Sequence, residues 1–170
     1  LWSKAGFNVL AYDYNGYGWS TGEPSENALR VDIQAMYQYL RRKEEIPSDR
    51  IFLVGHSLGC APTVYLAAHE KTGGVLLLSP FLSVFRTVFP IHWMPLLFDP
   101  FNNMREVKNI HVPIAIVHGT DDEVIRFSHG KKLYRLANKP KLFLKAEGYG
   151  HNNLPWSLIG RSLSWLKTEA

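Results

Sequence analysis

Cysteine is almost absent from this 170-residue sequence, in which Cys60 is the only one. A single cysteine excludes an intrachain disulfide and fits a reducing compartment. Long apolar runs are also missing, and none approaches the roughly 20 residues of a membrane-spanning helix. No secretory signal is visible, and no initiator methionine precedes Leu1. We therefore expect a cytoplasmic domain that is part of a longer protein.

Strong charge of either sign is missing as well. Lys and Arg number 19 and Asp and Glu 15, which gives a net charge of +4 at pH 7. The sequence contains no nucleic-acid-binding module and no pair of ligands at metal-site spacing. The glycine-rich turn at residues 13–20 lacks the Lys-Ser/Thr ending of a phosphate-binding loop. We expect no nucleic-acid partner, no metal and no cofactor.

Apolar runs that resemble strands alternate with segments that resemble helices. This order predicts one α/β domain over residues 1–170, with a mostly parallel sheet covered by helices on both faces. The predicted strands are residues 7–12, 51–54, 74–78, 114–117 and 141–145. Helices are predicted around residues 29–40, 61–70, 131–137 and 159–166, where apolar residues recur at helical spacing.

Residues 80–107 interrupt this alternation. The stretch contains four prolines and many large apolar side chains. A long connection in a compact domain is often a lid or binding loop, so we expect a cap-like insertion here. Its predicted substrate-binding residues are Phe81, Phe85, Phe89 and Trp93. The alternative is that these aromatic side chains pack onto the domain as core, and part of a cap usually does.

The pattern Gly-x-Ser-x-Gly occupies residues 55–59, between a predicted strand and a predicted helix. This context is what a nucleophile elbow requires. Gly55 and Gly59 would let the strand and the helix approach closely, because a Cβ at either position would clash. Ser57 is therefore the predicted nucleophile. The alternative, a turn without chemistry, is disfavoured by the flanking strand and helix.

A serine hydroxyl needs a base within hydrogen-bond reach, and in this arrangement the chain order is serine, acid, histidine. Three carboxylates at residues 121–123 follow a predicted strand. The acid would hold the tautomer of the histidine and stabilise its imidazolium. Spacing alone does not separate Asp121 from Asp122.

His151 is the predicted base, because it lies in a loop at the carboxyl end of a strand, where open α/β sheets place their sites. His129 also follows the acids, but it stands at a predicted helix start, where we expect it on the surface. His118 precedes the acids and so violates the order. His56, beside the serine, is interpreted as structural, and Cys60 as a small buried helix residue.

These motifs resemble those of the α/β-hydrolase superfamily, most of all the branch of α/β-hydrolase-domain-containing proteins of type 17, intracellular protein depalmitoylases. The resemblance covers nearly all 170 residues. The matching stretches are residues 6–9, 13–14, 16–18, 24–26, 55–59, 78–81, 118–125, 127–130 and 150–152.

The resemblance implies an α/β-hydrolase fold with Ser57 as nucleophile, His151 as base and Asp122 as acid. Asp121 matches a position that is often acidic but not catalytic. The backbone N–H of Leu58 matches one oxyanion donor. In the family a His-Gly loop before the segment that matches residues 7–12 supplies the second donor, so we expect that donor, and a neighbouring central strand, outside this chain.

The sequence thus predicts a serine hydrolase that cleaves an ester or thioester through an acyl-enzyme. By resemblance, the expected partner is an acylated protein or lipid-like substrate, as for a palmitoyl-protein thioesterase. Membrane association is expected only through a palmitoylated segment that this chain lacks. The alternatives are a lysophospholipase or general esterase, a prolyl-oligopeptidase-like peptidase, and a non-catalytic binding module of the same fold.

Overall fold

The structure is a computed structural model that describes residues 2, 5–88 and 99–170. It divides into two compact units, Leu1–Ile46 and Pro47–Ala170. The predicted residues Phe89 and Trp93 lie outside the described residues.

The first unit contains helix α1, Glu26–Gln38, which continues into a single π-helical turn at Tyr39–Lys43. Ser25 caps the start of α1, because its hydroxyl accepts a hydrogen bond from the Ala28 N–H at 3.0 Å. The buried residues of α1 recur every four positions, as the apolar pattern predicted: Leu29, Ile33 and Tyr37.

The second unit carries the sheet. Its strands are β1 (Phe52–His56), β2 (Gly74–Leu78), β3 (Ile114–Gly119) and β4 (Lys141–Ala146). Its helices are α2 (Cys60–His69), α3 (Val84–Val88), α4 (Asn103–Glu106), α5 (Phe127–Leu136) and α6 (Trp156–Glu169). Short 3₁₀ turns occupy Ser48–Arg50, Ser57–Gly59 and Val107–Asn109.

All four strands are parallel and stand in the order β1-β2-β3-β4. Every residue of β2 and β3 is buried. Because successive side chains point to opposite faces, this burial means that both faces of the central strands are covered. The prediction of strands at residues 51–54, 74–78, 114–117 and 141–145 is confirmed to within two residues at each end.

The predicted strand at residues 7–12 is wrong. No secondary structure is assigned there, and the side chains of Val9 and Leu10 are exposed. An apolar run becomes a strand only when a neighbouring strand accepts and donates its backbone hydrogen bonds. Among the described residues none pairs with this segment, and β1 pairs with β2 alone.

In the part of the chain that the structure describes, no helix is both long enough and apolar enough to cross a bilayer. Over the same residues, no group of three or more His, Cys, Asp or Glu side chains could hold a metal ion.

Candidate active site

The carboxyl ends of three parallel strands bring the candidate residues together. Ser57 follows β1 directly, Asp122 follows β3, and His151 lies in the loop after β4. Parallel strands all end at the same edge of their sheet, so residues far apart in the chain meet there.

Ser57 stands at a strained turn between β1 and α2. Its φ is +52°, a left-handed backbone conformation that side chains other than glycine seldom adopt. A Cβ at Gly55 would lie 2.5 Å from the carbonyl oxygen of Gly59, so only glycine fits where the strand meets the turn. The sharp strand–turn–helix geometry predicted for this motif is present.

Cys60, the first residue of α2, packs beneath the turn at Ser57 and contacts the ends of β1 and β2. Its thiol is fully buried and lies 3.3 Å from the carbonyl oxygen of Gly55 and 3.4 Å from that of Leu78. Burial raises the pKa of this thiol, since a thiolate there would be stripped of water. Cys60 is therefore a packing residue, as interpreted from the sequence.

Asp122 and Asp121 differ sharply in their surroundings. The side chain of Asp122 is buried, and its Oδ1 accepts hydrogen bonds from the backbone N–H groups of Val124 at 3.0 Å and Ile125 at 2.7 Å. Asp121 is exposed, and its carboxylate accepts a bond from the Thr120 hydroxyl at 2.8 Å. The structure therefore places Asp122 in the site and Asp121 at the surface, a choice that spacing alone left open.

The imidazole of His151 joins the other two side chains. Its Nδ1 lies 2.8 Å from Oδ2 and 3.0 Å from Oδ1 of Asp122, and its Nε2 lies 2.8 Å from the Oγ of Ser57. With Nδ1 donating to the carboxylate, Nε2 is left to accept the hydroxyl proton. The row is arranged so that the imidazole can take a proton from serine beside a carboxylate that stabilises the resulting cation.

The charge state of Asp122 suits this arrangement. Burial by itself raises the pKa of the carboxyl. The hydrogen bonds from the Ile125 backbone and from His151 favour the ionised form and outweigh the burial, so the pKa of Asp122 is lower than its ordinary value. The carboxylate is therefore charged at neutral pH.

The His151 loop is fastened to the acid loop by contacts that the sequence did not single out. A Glu123 carboxylate oxygen accepts the His151 backbone N–H at 3.3 Å. The Thr120 hydroxyl oxygen accepts the Gly148 N–H at 2.8 Å. Both contacts join a residue just beyond β3 to the loop after β4. The acidic cluster at residues 121–123 was recognised in the sequence as the source of the catalytic acid, but nothing in the sequence predicted that Glu123 would bond to the His151 loop.

Two more histidines adjoin the site. His56, interpreted as structural, places its Nε2 3.1 Å from the carbonyl oxygen of His151, and the two rings lie 5.1 Å apart. It therefore contacts the backbone of the predicted base. His118, set aside because it precedes the acid, is fully buried, with its Nε2 3.4 Å from Oδ2 of Asp122.

The expectation of a surface position for His129 is wrong. Its side chain is 2% exposed, and its Nδ1 accepts a hydrogen bond from the Leu82 N–H at 3.3 Å. Helix α5 begins two residues before His129, earlier than predicted, so this histidine faces inward in the first turn of the helix. The packing of the segment after β2 against α5, which a local pattern cannot reveal, buries it.

The described part of the predicted cap divides between core and surface. Phe81 is buried and packs with Ala61 and Ile125, with partly buried Val84 and Phe101 against them. Phe85 is exposed. Leu58, the expected oxyanion donor, is the second residue of the turn that begins at Ser57. Substrate contact and oxyanion binding stay predictions for these residues.

Comparison with known proteins identifies related sequences. Residues 2–89 match the family described as alpha/beta hydrolase fold. Alpha/beta hydrolase domain-containing protein 17B of Homo sapiens is 40% identical over 167 residues, which are 98% of this chain and 57% of that protein. The 17C protein of Mus musculus is 40% identical over 154 residues, 91% of this chain and 48% of that protein. The chain thus spans about half the length of these relatives, and the predicted resemblance to the type-17 proteins is confirmed.

Solved structures share the fold at low sequence identity. An esterase from Pyrococcus furiosus superposes with a TM-score of 0.79 at 20% identity, covering 98% of this chain and 72% of that one. A monoacylglycerol lipase from Paleococcus ferrophilus superposes with a TM-score of 0.73 at 21% identity, covering 98% of this chain and 86% of that one. With the family match and the parallel sheet, these findings show that the chain belongs to the α/β-hydrolase family.

Proposed function

We propose that this hydrolase chain carries a serine-nucleophile site that cleaves an acyl ester or thioester through an acyl-enzyme. One observation carries the proposal: the Ser57 hydroxyl, the His151 imidazole and the Asp122 carboxylate form a single hydrogen-bonded row. The strained backbone at Ser57 supports it further, because strain of this kind concentrates at functional sites.

The first half-reaction forms the acyl-enzyme. The Oγ of Ser57 attacks the acyl carbon while Nε2 of His151 takes the hydroxyl proton, and the negative charge develops on the carbonyl oxygen. When the bond from the acyl carbon to the leaving sulfur or oxygen breaks, the imidazolium returns the proton to the leaving group. Asp122 holds the imidazole in the required tautomer throughout and stabilises its cationic form.

The second half-reaction releases the acid. A water molecule gives a proton to Nε2 of His151 and its oxygen bonds to the acyl carbon, and the bond to Oγ of Ser57 breaks as Oγ regains a proton. We assign the Leu58 N–H as one donor to the oxyanion, because it directly follows the nucleophile. This assignment rests on its place in the elbow.

The proposed substrate is a long-chain acyl thioester on a protein cysteine. The likeness to the type-17 hydrolases supports this choice. The position of Phe81 supports it too, since this apolar residue leads into the segment after β2 and packs on Ala61, one turn past Ser57, and on Ile125 of the acid loop. An apolar segment that begins beside the first turn of α2 and the acid loop is suited to a fatty acyl chain.

The test is hydrolysis by the purified full-length protein of a palmitoyl-cysteine peptide, compared with the matching palmitoyl-serine ester and an unacylated peptide. We expect thioester cleavage that Ser57→Ala abolishes and that Ser164→Ala, at an exposed serine of α6, leaves intact. Cleavage of the oxygen ester or the peptide bond, without the thioester, contradicts the substrate assignment. The absence of any Ser57-dependent turnover by folded protein contradicts the catalytic proposal.

A further inference from the structure

His118 has no part in the reaction described above, yet it is one of the largest fully buried polar side chains among the described residues. It is the fifth residue of β3, four positions before Asp122. Replacing a buried hydrogen-bonded side chain by an apolar one is costly when it leaves the partner of its hydrogen bond unsatisfied. Its contacts give it a specific role.

The orientation of the His118 ring is fixed by its neighbours in α5. The ring of Phe127 meets it edge-on, with centroids 5.7 Å apart and an interplanar angle of 89°. On the Nδ1 side the backbone of Gly130 approaches so closely that a Cβ there would lie 2.4 Å from Nδ1. The ring is therefore packed directly against the first turn of α5.

The hydrogen-bond pattern fixes the tautomer as well. The Nε2 of His118 lies 2.9 Å from the carbonyl oxygen of Ile125, which can only accept, so Nε2 carries the hydrogen. Nδ1 has no hydrogen-bond partner among the described residues, so a proton there would be a buried charge without an acceptor. His118 is accordingly neutral, and its single N–H points toward the acid loop.

That N–H donates to the Ile125 carbonyl in the acid loop. Nε2 also lies near Oδ2 of Asp122, the oxygen nearest to Nδ1 of His151, at a distance of 3.4 Å but without a hydrogen bond. The N–H of Ile125 donates to the other carboxylate oxygen at 2.7 Å. The Ile125 residue is thus held at its carbonyl by His118 while its own N–H holds Asp122.

We propose that His118 is a positioning residue: its Nε2–H holds the carbonyl of Ile125, and the N–H of Ile125 in turn holds the Asp122 carboxylate where it meets the His151 ring. The expected effect on turnover rests on the proposed function. His118 acts through Asp122 and contacts neither the substrate nor the hydroxyl of Ser57.

Two variants of His118 distinguish a role as a hydrogen-bond donor from a role in packing alone. In His118→Gln the side-chain amide keeps an N–H near the position of Nε2, whereas His118→Phe keeps a ring and removes the donor. Positioning predicts that the Phe variant loses roughly tenfold in kcat with KM unchanged, because the Ile125 carbonyl loses its buried donor and the acid loop is no longer held. It predicts that the Gln variant stays close to wild type. Packing alone predicts the reverse order, since Gln buries an additional polar group.

A second measurement does not depend on activity. Native-state hydrogen exchange of the Ile125 amide, followed by NMR in the full-length protein, reports whether the acid loop keeps its bond to Asp122. We expect faster exchange in the Phe variant and wild-type exchange in the Gln variant, with global stability measured in both. Equal exchange in the two variants overturns the proposal. If the wild type shows no Ser57-dependent turnover, the proposed function fails, and the Ile125 exchange still decides the role of His118.

Discussion

The Nε2 atom of His151 lies 2.8 Å from the Oγ atom of Ser57, although the two residues are 94 positions apart in the chain. The same ring meets the buried Asp122 through Nδ1. One imidazole therefore bridges a hydroxyl at the end of β1 and a carboxylate beyond β3. The roles proposed for these residues lead to distinct experimental results.

Asp122→Asn is expected to lower kcat by about 10⁴-fold at neutral pH while the fold is retained, because the amide favours the wrong tautomer of His151. The neighbouring Asp121→Asn is the matched control. Its carboxylate is exposed and bonds only to Thr120 among the contacts described above, so we expect activity within about twofold of wild type. Steady-state kinetics on one ester substrate measures both variants, and equal losses in the two would contradict the assignment of the acid.

Gly130→Ala is expected to destabilise the protein by about 1–3 kcal/mol, because the new Cβ would collide with the His118 ring and the packed helix must shift. Gly160, also inside a helix, has open space where a Cβ would go. Gly160→Ala should therefore stabilise by about 0.4–1 kcal/mol, through the lower entropy of the unfolded chain. Urea unfolding midpoints measure the pair, and a stabilised Gly130→Ala variant would mean that α5 does not approach His118 as described.

Stability should fall on mild acidification because of His118. Burial lowers the pKa of this imidazole and outweighs the Ile125 carbonyl and the Asp122 charge, which act in the opposite direction. Below the ordinary histidine pKa of about 6.5, His118 is protonated in the unfolded chain but stays neutral in the folded protein. The free energy of unfolding therefore decreases as the pH falls from about 6.5 toward the lower pKa of the folded state. The slope from this one group is at most about 1.4 kcal/mol per pH unit.

Urea unfolding at a series of pH values between 7 and 5 tests this expectation against a variant that cannot titrate. His118→Gln should flatten the pH dependence, whereas His111→Gln, at an exposed site, should not. The lowered pKa of Asp122 does not contribute between pH 7 and 5. It stabilises the folded state fully above the ordinary aspartate pKa of about 3.9, and this stabilisation is lost only as the pH falls below that value. An unchanged slope in His118→Gln would show that His118 is not buried as a neutral ring.

Much of the fold could be predicted because its signals are local. Four apolar runs from Ile51 onward became parallel strands, since strands buried on both faces are continuously apolar. The run at residues 7–12 carries the same signal but forms no strand, because pairing depends on a neighbour that a local pattern cannot supply. The burial of His129 was missed for a related reason: it depends on Leu82, 47 positions away.

The candidate site shows the same division. Ser57 could be predicted as the nucleophile because the nucleophile elbow is a local pattern, and His151 as the base because the chain order of the fold constrains it. Spacing could not separate Asp121 from Asp122, since adjacent residues differ only in the direction their side chains take once the loop has folded. The contacts of His118 could not be predicted because they depend on the packing of β3 against α5 and the acid loop. Those of Glu123 could not be predicted because they form only where the loops after β3 and β4 meet.

The most direct test of the central claim is labelling of the full-length protein with a fluorophosphonate, which reacts only with a serine whose hydroxyl is activated. We expect stoichiometric labelling, located on Ser57 by peptide mass spectrometry, lost in Ser57→Ala and retained in Ser164→Ala. Folded wild-type protein that remains unlabelled, or a Ser57→Ala variant that labels as well as wild type, would contradict the assignment of Ser57 as the nucleophile.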